Sequence, residues 1–252
     1  LNNFSISTYS ATNIVGGSTI GGNYYDNSTV GGQSAYSLTC TDYDSDSICD
    51  VQLNHTYGEI GTNDSDFYPL AKENLISSCQ TLSTANTAYK LSASVFFYST
   101  CFNITASGVT LDCDGKTVEY ANASSGYGVN ITGANSTVVK NCIFLQQNRS
   151  VQFNTAAILA LKSNNSIFIN NNINSSGNYS YGIVLASSNF TNVSGNRMNI
   201  SSNFSYAIGL GMSGLNNITS NNISTQGGND GYGINLTSSL YNDVRGNNVT
   251  TN

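Results

Sequence analysis

Charge is scarce in this 252-residue chain: Asp, Glu, Lys and Arg make up only 9% of it, and the formal net charge is −6. No basic patch exists, which argues against nucleic acid as a partner. Proline occurs once, and the only histidine is His55. With one His and no Cys-x-x-Cys pair, a Cys/His zinc site has too few ligands. No run of about 20 apolar residues is present, so the sequence predicts no membrane-spanning helix. No signal peptide is visible and the first residue is Leu1, which reads as a processed piece or one segment of a longer polypeptide. The 39% of hydrophobic residues is too high for a disordered chain. What fills the sequence instead is Asn, Ser, Thr and Gly. That composition suits a fold that sets polar side chains in regular ladders.

Six cysteines in such a chain point to disulfides and an oxidising compartment, hence to an extracellular or cell-surface setting. The sequence-near pairings are Cys40–Cys49, Cys79–Cys101 and Cys113–Cys142, although spacing alone does not fix connectivity. Asn-x-Ser/Thr triplets are dense, and the candidate acceptors of N-linked glycans include Asn27, Asn54, Asn63, Asn103, Asn122, Asn148, Asn178 and Asn203. A chain rich in Asn, Ser and Thr also generates such triplets by composition.

A repeat runs from Tyr127 onward. Its copies open at Tyr127-Gly128-Val129-Asn130-Ile131, Ala157-Ile158-Leu159-Ala160-Leu161, Tyr181-Gly182-Ile183-Val184-Leu185, Tyr206-Ala207-Ile208-Gly209-Leu210 and Tyr232-Gly233-Ile234-Asn235-Leu236. A second signature, apolar-x-x-Asn-x-apolar, follows in each at Asn141, Asn171, Asn196, Asn221 and Asn247. Short period-2 runs separated by Asn, Gly and Ser read as strands and turns, and no helical period appears. A repeat of about 25 residues without helix excludes an α-solenoid and is too short for a propeller blade of about 40–45 residues. The copies also lack the leucine density of leucine-rich repeats. The fold class predicted is all-β, a right-handed parallel β-helix, one coil per repeat. Stacked coils place the five Asn residues one above another, where they hydrogen-bond as a ladder. Three segments are expected: a β-helix coil over 1–25, an irregular Asp-rich segment over 26–70, and the main β-helix over 71–252.

The start of the main segment carries Cys101-Phe102-Asn103-Ile104-Thr105 and then Leu111-Asp112-x-x-Gly115-x-x-Val118. It resembles the opening of NosD-like parallel β-helix proteins of the carbohydrate-binding and sugar-hydrolase superfamily. Gly21-Gly22-Asn23-Tyr24-Tyr25-Asp26, the Asp42-to-Asp50 run and Asp66-Phe67-Tyr68-Pro69-Leu70 are similar to the tail that closes such β-helices in archaeal surface proteins. The tail-like part precedes the head-like part. Val15, Ser18 and Ile20 stand in the Asn-motif register, and Ser18 of a following copy would fall 23 residues after Asn247, close to one coil. One unit of a head-to-tail array is therefore expected, with each unit's last coil continuing into the next unit's first.

For chemistry, Asp42, Asp44, Asp46 and Asp50 alternate along a loop, with the Ile48 carbonyl between them. Alternating carboxylates present oxygens to a hard cation, so a structural Ca²⁺ is expected there. Leu53 stands where an EF-hand has its bidentate Glu, so the loop is not an EF-hand. Enzymes on this fold use clustered carboxylates, or Ca²⁺ with a basic residue. No Asp or Glu occurs between Arg149 and Asn229, and no catalytic set is expected. Asp112 and Asp114 read as structural. The expected function is a non-catalytic structural protein of an extracellular surface layer, fibre or filament, with itself as partner. The alternative is a module binding cell-surface glycans through exposed Tyr24, Tyr25, Tyr179 and Tyr241. A polysaccharide lyase or hydrolase stands third.

Overall fold

The computed structural model describes residues 74–146, 155–177, 179–201, 203–226 and 231–251, with four short strands nearer the N-terminus. The chain divides into two units, Leu1–Asn74 and Leu75–Asn252. In the first, Tyr9–Ser10 pairs antiparallel with Thr19–Ile20, and Leu53–His55 antiparallel with Asp64–Asp66. The other residues of the 1–25 and 26–70 segments lie outside the described residues.

The second unit is a parallel β-solenoid, a β-helix built from three sheets of eight, seven and seven strands. Each coil visits them in order. Sheet I takes the longest strands, Tyr127–Thr132, Thr155–Leu161, Ser180–Ala186, Tyr206–Gly211 and Tyr232–Thr237. Sheet II follows with Val138–Lys140, Ile167–Ile169, Asn192–Ser194, Asn217–Thr219 and Asp243–Arg245. Sheet III closes the coil with Ile143–Gln146, Asn172–Ser175, Arg197–Ile200, Asn222–Thr225 and Asn248–Thr251. Earlier rungs of the same sheets begin at Asn74–Ile76, Thr81–Leu82 and Val95–Phe96.

The period-2 pleat decides what is inside. Val129, Ile158, Ile183, Ile208 and Ile234 form one column down sheet I. Val139, Phe168, Val193, Ile218 and Val244 run down sheet II, and Phe144, Ile173, Met198, Ile223 and Val249 down sheet III. All but the last members of these columns are fully buried. Each buried aliphatic or aromatic side chain contributes about 1.5–3 kcal/mol. A fourth inward column is kept small: Gly128, Ala157, Gly182, Ala207 and Gly233. Glycine is required where it stands there, because a Cβ on Gly182 would meet the Ala207 carbonyl oxygen at 2.3 Å.

The register corrects one reading of the repeat. Tyr127 pairs with Ala156, and Ala156 with Tyr181, so Ala156 rather than Ala157 opens the second copy. Ala157 then occupies the small column, and the strand openings step by 29, 25, 25 and 26 residues, the same steps as the inward corner positions.

Candidate functional site

The corner between sheets II and III is two residues long and built the same way in every coil from Asn141 on. Its first residue is left-handed: Asn141, Asn170, Gly195, Ser220 and Gly246 have φ between 55° and 64°. That turn swings the second residue inward. Asn171, Asn196 and Asn221 are buried there, with Asn247 following. The N–H and Nδ2 of Asn171 both donate to Asn196 Oδ1 at 2.9 and 3.0 Å. Asn196 donates in the same way to Asn221, and Asn221 to Asn247, all within 3.0 Å. Each Nδ2 also reaches a carbonyl of the preceding coil: Val139, Phe168, Val193 and Ile218 in turn. Buried amides are thereby satisfied on every side.

Asn141 does not belong to this stack. It is the left-handed residue, and its Nδ2 donates to Asp112 Oδ1 at 3.1 Å. Cys142 occupies the inward position, and its N–H donates to Asn171 Oδ1 at 3.0 Å. With Cys142 in place of Asn141 the ladder register is regular. Asp112 accepts the Asp114 N–H at 2.8 Å and lies 3.5 Å from Lys140 Nζ, a corner-shaping role.

Two further ladders were not legible in the sequence. At the start of the I–II connection Ser163, Ser188 and Ser213 are buried, each donating its N–H to the hydroxyl of the next Ser, ending on Ser239 at 3.0–3.1 Å. At its end Thr191 donates to Asn216 Oδ1 and Asn216 to Asn242 Oδ1, at 2.8 and 2.9 Å. Serine is too common in this chain for the first to stand out. Its signal is a left-handed residue just before it: Lys162, Ser187, Met212 and Ser238.

The described cysteines form two bridges, Cys79–Cys101 and Cys113–Cys142. Both link successive coils at inward positions. Cys101 stands one rung before Gly128 in the small column, and Cys142 heads the Asn ladder. Cys40 and Cys49 lie outside the described residues, as do Asp42, Asp44, Asp46, Ile48 and Asp50. Among the described residues no group of three or more His, Cys, Asp or Glu side chains comes together. Glu119 accepts from Asn122 at 2.6 Å, and Asp243 pairs with Arg245 at 3.0 Å.

The glycosylation triplets split into two kinds. Within strands, as at Asn103, Asn130, Asn192 and Asn222, the Asn and the hydroxyl residue two positions on both point outward. At corners the middle residue is left-handed (Ser136, Asn165, Tyr179, Phe190 and Phe204), so the hydroxyl turns inward. Thr137, Ser166, Ser180, Thr191 and Ser205 are accordingly buried. Ser205 accepts the Ser180 N–H at 3.0 Å. The serines of the Asn178 and Asn203 triplets therefore have a structural explanation. Asn203 itself is exposed, Asn103 and Asn122 are half-buried, and Asn103 accepts from Asn130 at 3.1 Å. Asn27, Asn54, Asn63, Asn148 and Asn178 have no described side chains.

Beside the third corner lies a buried polar group: Gln146, Thr155, Ser175 and Ser180, the two serine hydroxyls in direct contact. Tyr120 is buried against Phe144 nearby. Burial pushes its phenol well above the ordinary tyrosine range, opposed by the neighbouring Ser175 hydroxyl. Outside, Tyr181, Tyr206 and Tyr232 follow one another down the edge of sheet I, in register with Tyr127 beyond Ala156. The Tyr181 and Tyr206 rings stack 4.3 Å apart, which uses the faces a sugar ring would need. Tyr179 likewise stacks on Phe204 at 5.2 Å, while Tyr241 is exposed. Tyr24 and Tyr25 lie outside the described residues.

The two ends of the solenoid differ. Near its N-terminal end Ile76, Leu82 and Leu91 are buried. In the last coil Leu236, Val244 and Val249 continue inward columns yet are exposed. No helix among those residues is long and apolar enough to cross a membrane. Set against protein-family models, curated proteins and solved structures, the chain finds no match in any of the three.

Proposed function

We propose that this chain is a non-catalytic extracellular structural unit. It continues end to end into further units of its kind, as a tandem segment or as a subunit of a surface fibre, filament or surface layer. The observation that carries this reading is the set of in-register ladders, in which successive coils offer their neighbours the same oxygen acceptors at the same corners, so that coils act as interchangeable stacking units. The resemblance to NosD-like β-helices of archaeal surface proteins and the two disulfides support the surface setting. The described carboxylates are spread over corner and surface pairs, which favours a non-catalytic role over a lyase or hydrolase. In this reading Asp42, Asp44, Asp46, Asp50 and the Ile48 carbonyl hold a structural Ca²⁺, and outward Asn triplets carry N-linked glycans. The rival reading, a carbohydrate-binding surface module, has the Tyr181–Tyr206–Tyr232 row in its favour and the stacked ring faces against it.

Electron microscopy of the native material with and without EGTA tests the proposal. Fibres whose axial repeat matches one unit, at about 4.8 Å per coil, are the expected result, with loosening on EGTA. Monodisperse particles in both conditions would sink the fibre reading, and binding on a glycan array would then favour the module.

A further inference from the structure

The described disulfides tie coils together only in the first part of the solenoid, at Cys79–Cys101 and Cys113–Cys142, and no cysteine occurs after Cys142. Farther along, Tyr181 and Tyr206 stand one coil apart at the outward edge of sheet I. Their rings lie 4.3 Å apart with 23° between the planes, the one pair of stacked tyrosines among the described residues. The two hydroxyls are neighbours, so the rings point the same way. The carbons flanking one hydroxyl therefore face those flanking the other. The local backbone leaves room for this arrangement. A Cβ on Gly209 would meet Tyr206 Cε2 at 2.1 Å, so the Tyr206 ring lies against a bare stretch of its own strand. Ala156 interrupts the row on the other side and sets Tyr127 two rungs away from Tyr181. Both stacked rings are half-buried, which leaves their edges within reach of a small oxidant.

We propose that Tyr181 and Tyr206 are a modification site, joined within the chain as dityrosine by a one-electron oxidant such as a peroxidase acting with peroxide. Each phenol gives up one electron and one proton and becomes a phenoxyl radical. The two radicals pair in a carbon–carbon bond between ring positions ortho to oxygen. Each ring then passes the hydrogen on that carbon to its own oxygen and is aromatic again. The chain loses two hydrogens in all, and one peroxide takes up the two electrons and two protons to leave two waters. Stacked rings suit this step, because the new bond forms along the ring normals. A pair already held face to face also reacts without a diffusive encounter. Tyr179 stacks on Phe204 instead, which has no phenol to couple. The link closes one coil and gives the later coils the kind of constraint that the disulfides give the earlier ones. It is independent of end-to-end assembly.

The test illuminates the full 252-residue chain, dilute and without glycans, with tris(bipyridine)ruthenium and persulfate, which together draw single electrons from phenols. Dityrosine fluorescence of the monomeric fraction measures the yield. Trypsin cuts after Arg197, between the two tyrosines, so a joined pair of peptides lighter by two hydrogens reports the link, and fragmentation places it. The expected product joins Tyr181 to Tyr206. Tyr181→Phe and Tyr206→Phe each keep a ring in the stack, so the thermal midpoint should hold while the yield falls roughly tenfold or more. Gly209→Ala keeps both phenols but displaces the Tyr206 ring, and should lower the yield as well. Tyr127→Phe should leave it level. An equal yield from the urea-unfolded chain overturns the proposal, since the fold would then contribute nothing. So does a link from Tyr181 to Tyr232 formed as readily, or dityrosine confined to covalent dimers.

Discussion

Replacing Asn196 by Ala removes one rung from the middle of the buried ladder. The buried Asn171 N–H at 2.9 Å and one Asn171 Nδ2 hydrogen at 3.0 Å lose their acceptor. The Phe168 carbonyl loses its 2.9 Å donor but keeps its place in the sheet. A buried donor left unpaired costs about 1–3 kcal/mol, so two of them set the expected loss at roughly 2–6 kcal/mol. Asn199→Ala, outward in the same coil, should stay within about 0.5 kcal/mol. Asn196→Asp gives a signed test. It keeps one acceptor for Asn171 but turns a second oxygen toward the Phe168 carbonyl and Asn221 Oδ1, which only a protonated carboxyl tolerates. Its folded pKa must then rise above the unfolded value near 3.9. Stability is therefore retained below about pH 4 and lost as pH climbs through the raised pKa. Urea unfolding at pH 3.5 and 7, with hydrogen exchange at the Asn171 amide, reads both effects, since coils of a solenoid open locally. An Ala variant within 1 kcal/mol of wild type with Asn171 still protected would refute the ladder argument. So would an Asp variant that gains stability with pH.

Burial, then the charge and hydroxyl of Tyr206 and the charge of Tyr179, push the Tyr181 phenol up to about 12. An ultraviolet titration should show it ionising above the ordinary tyrosine range, and its contribution to stability holds below about pH 10 and is lost as pH rises through about 12. Cys79→Ser and Cys113→Ser open loops of 22 and 29 residues, and each should lower the unfolding free energy by about 3–4 kcal/mol on the loop-entropy estimate, measured in urea. Gly182→Ala should cost about 1–3 kcal/mol because its Cβ meets the Ala207 backbone. Gly211→Ala, with nothing within 4 Å, should fall within about 0.5 kcal/mol in the same assay.

Much of this architecture is legible because the pleat and the coil length impose two periods at once. Aliphatic residues at alternate positions and an Asn every 25 or 26 residues stand out against a polar background, which is why Asn171, Asn196, Asn221 and Asn247 can be read directly. Asn141 misleads because an Asn at a left-handed corner and an Asn in the inward stack are neighbours in sequence and differ only in backbone sign. Ala156 and Ala157 are interchangeable on composition, and only pairing assigns them. The serine ladder hides in a serine-rich chain. The corner triplets look like glycan acceptors because Asn-x-Ser/Thr is also what an outward amide, a left-handed residue and an inward hydroxyl spell. The calcium-type run and the Cys40–Cys49 pair lie in a part of the chain where the described residues are few.

The ladders make the length of the solenoid a quantised property. Each coil offers its successor the same oxygens and receives the same donors, so a coil is exchangeable for its neighbour as a whole. Excising residues 181–205 would join Ser180 to Tyr206, set Asn171 against Asn221, Ser163 against Ser213 and Ile173 against Ile223, and re-form the Asn and Ser ladders with equivalent partners. Losing one residue instead would turn a strand inside out. Variation in such a scaffold is tolerated in whole turns of about 25 residues or in the III–I loop, where the 29- and 26-residue steps already place their extra length.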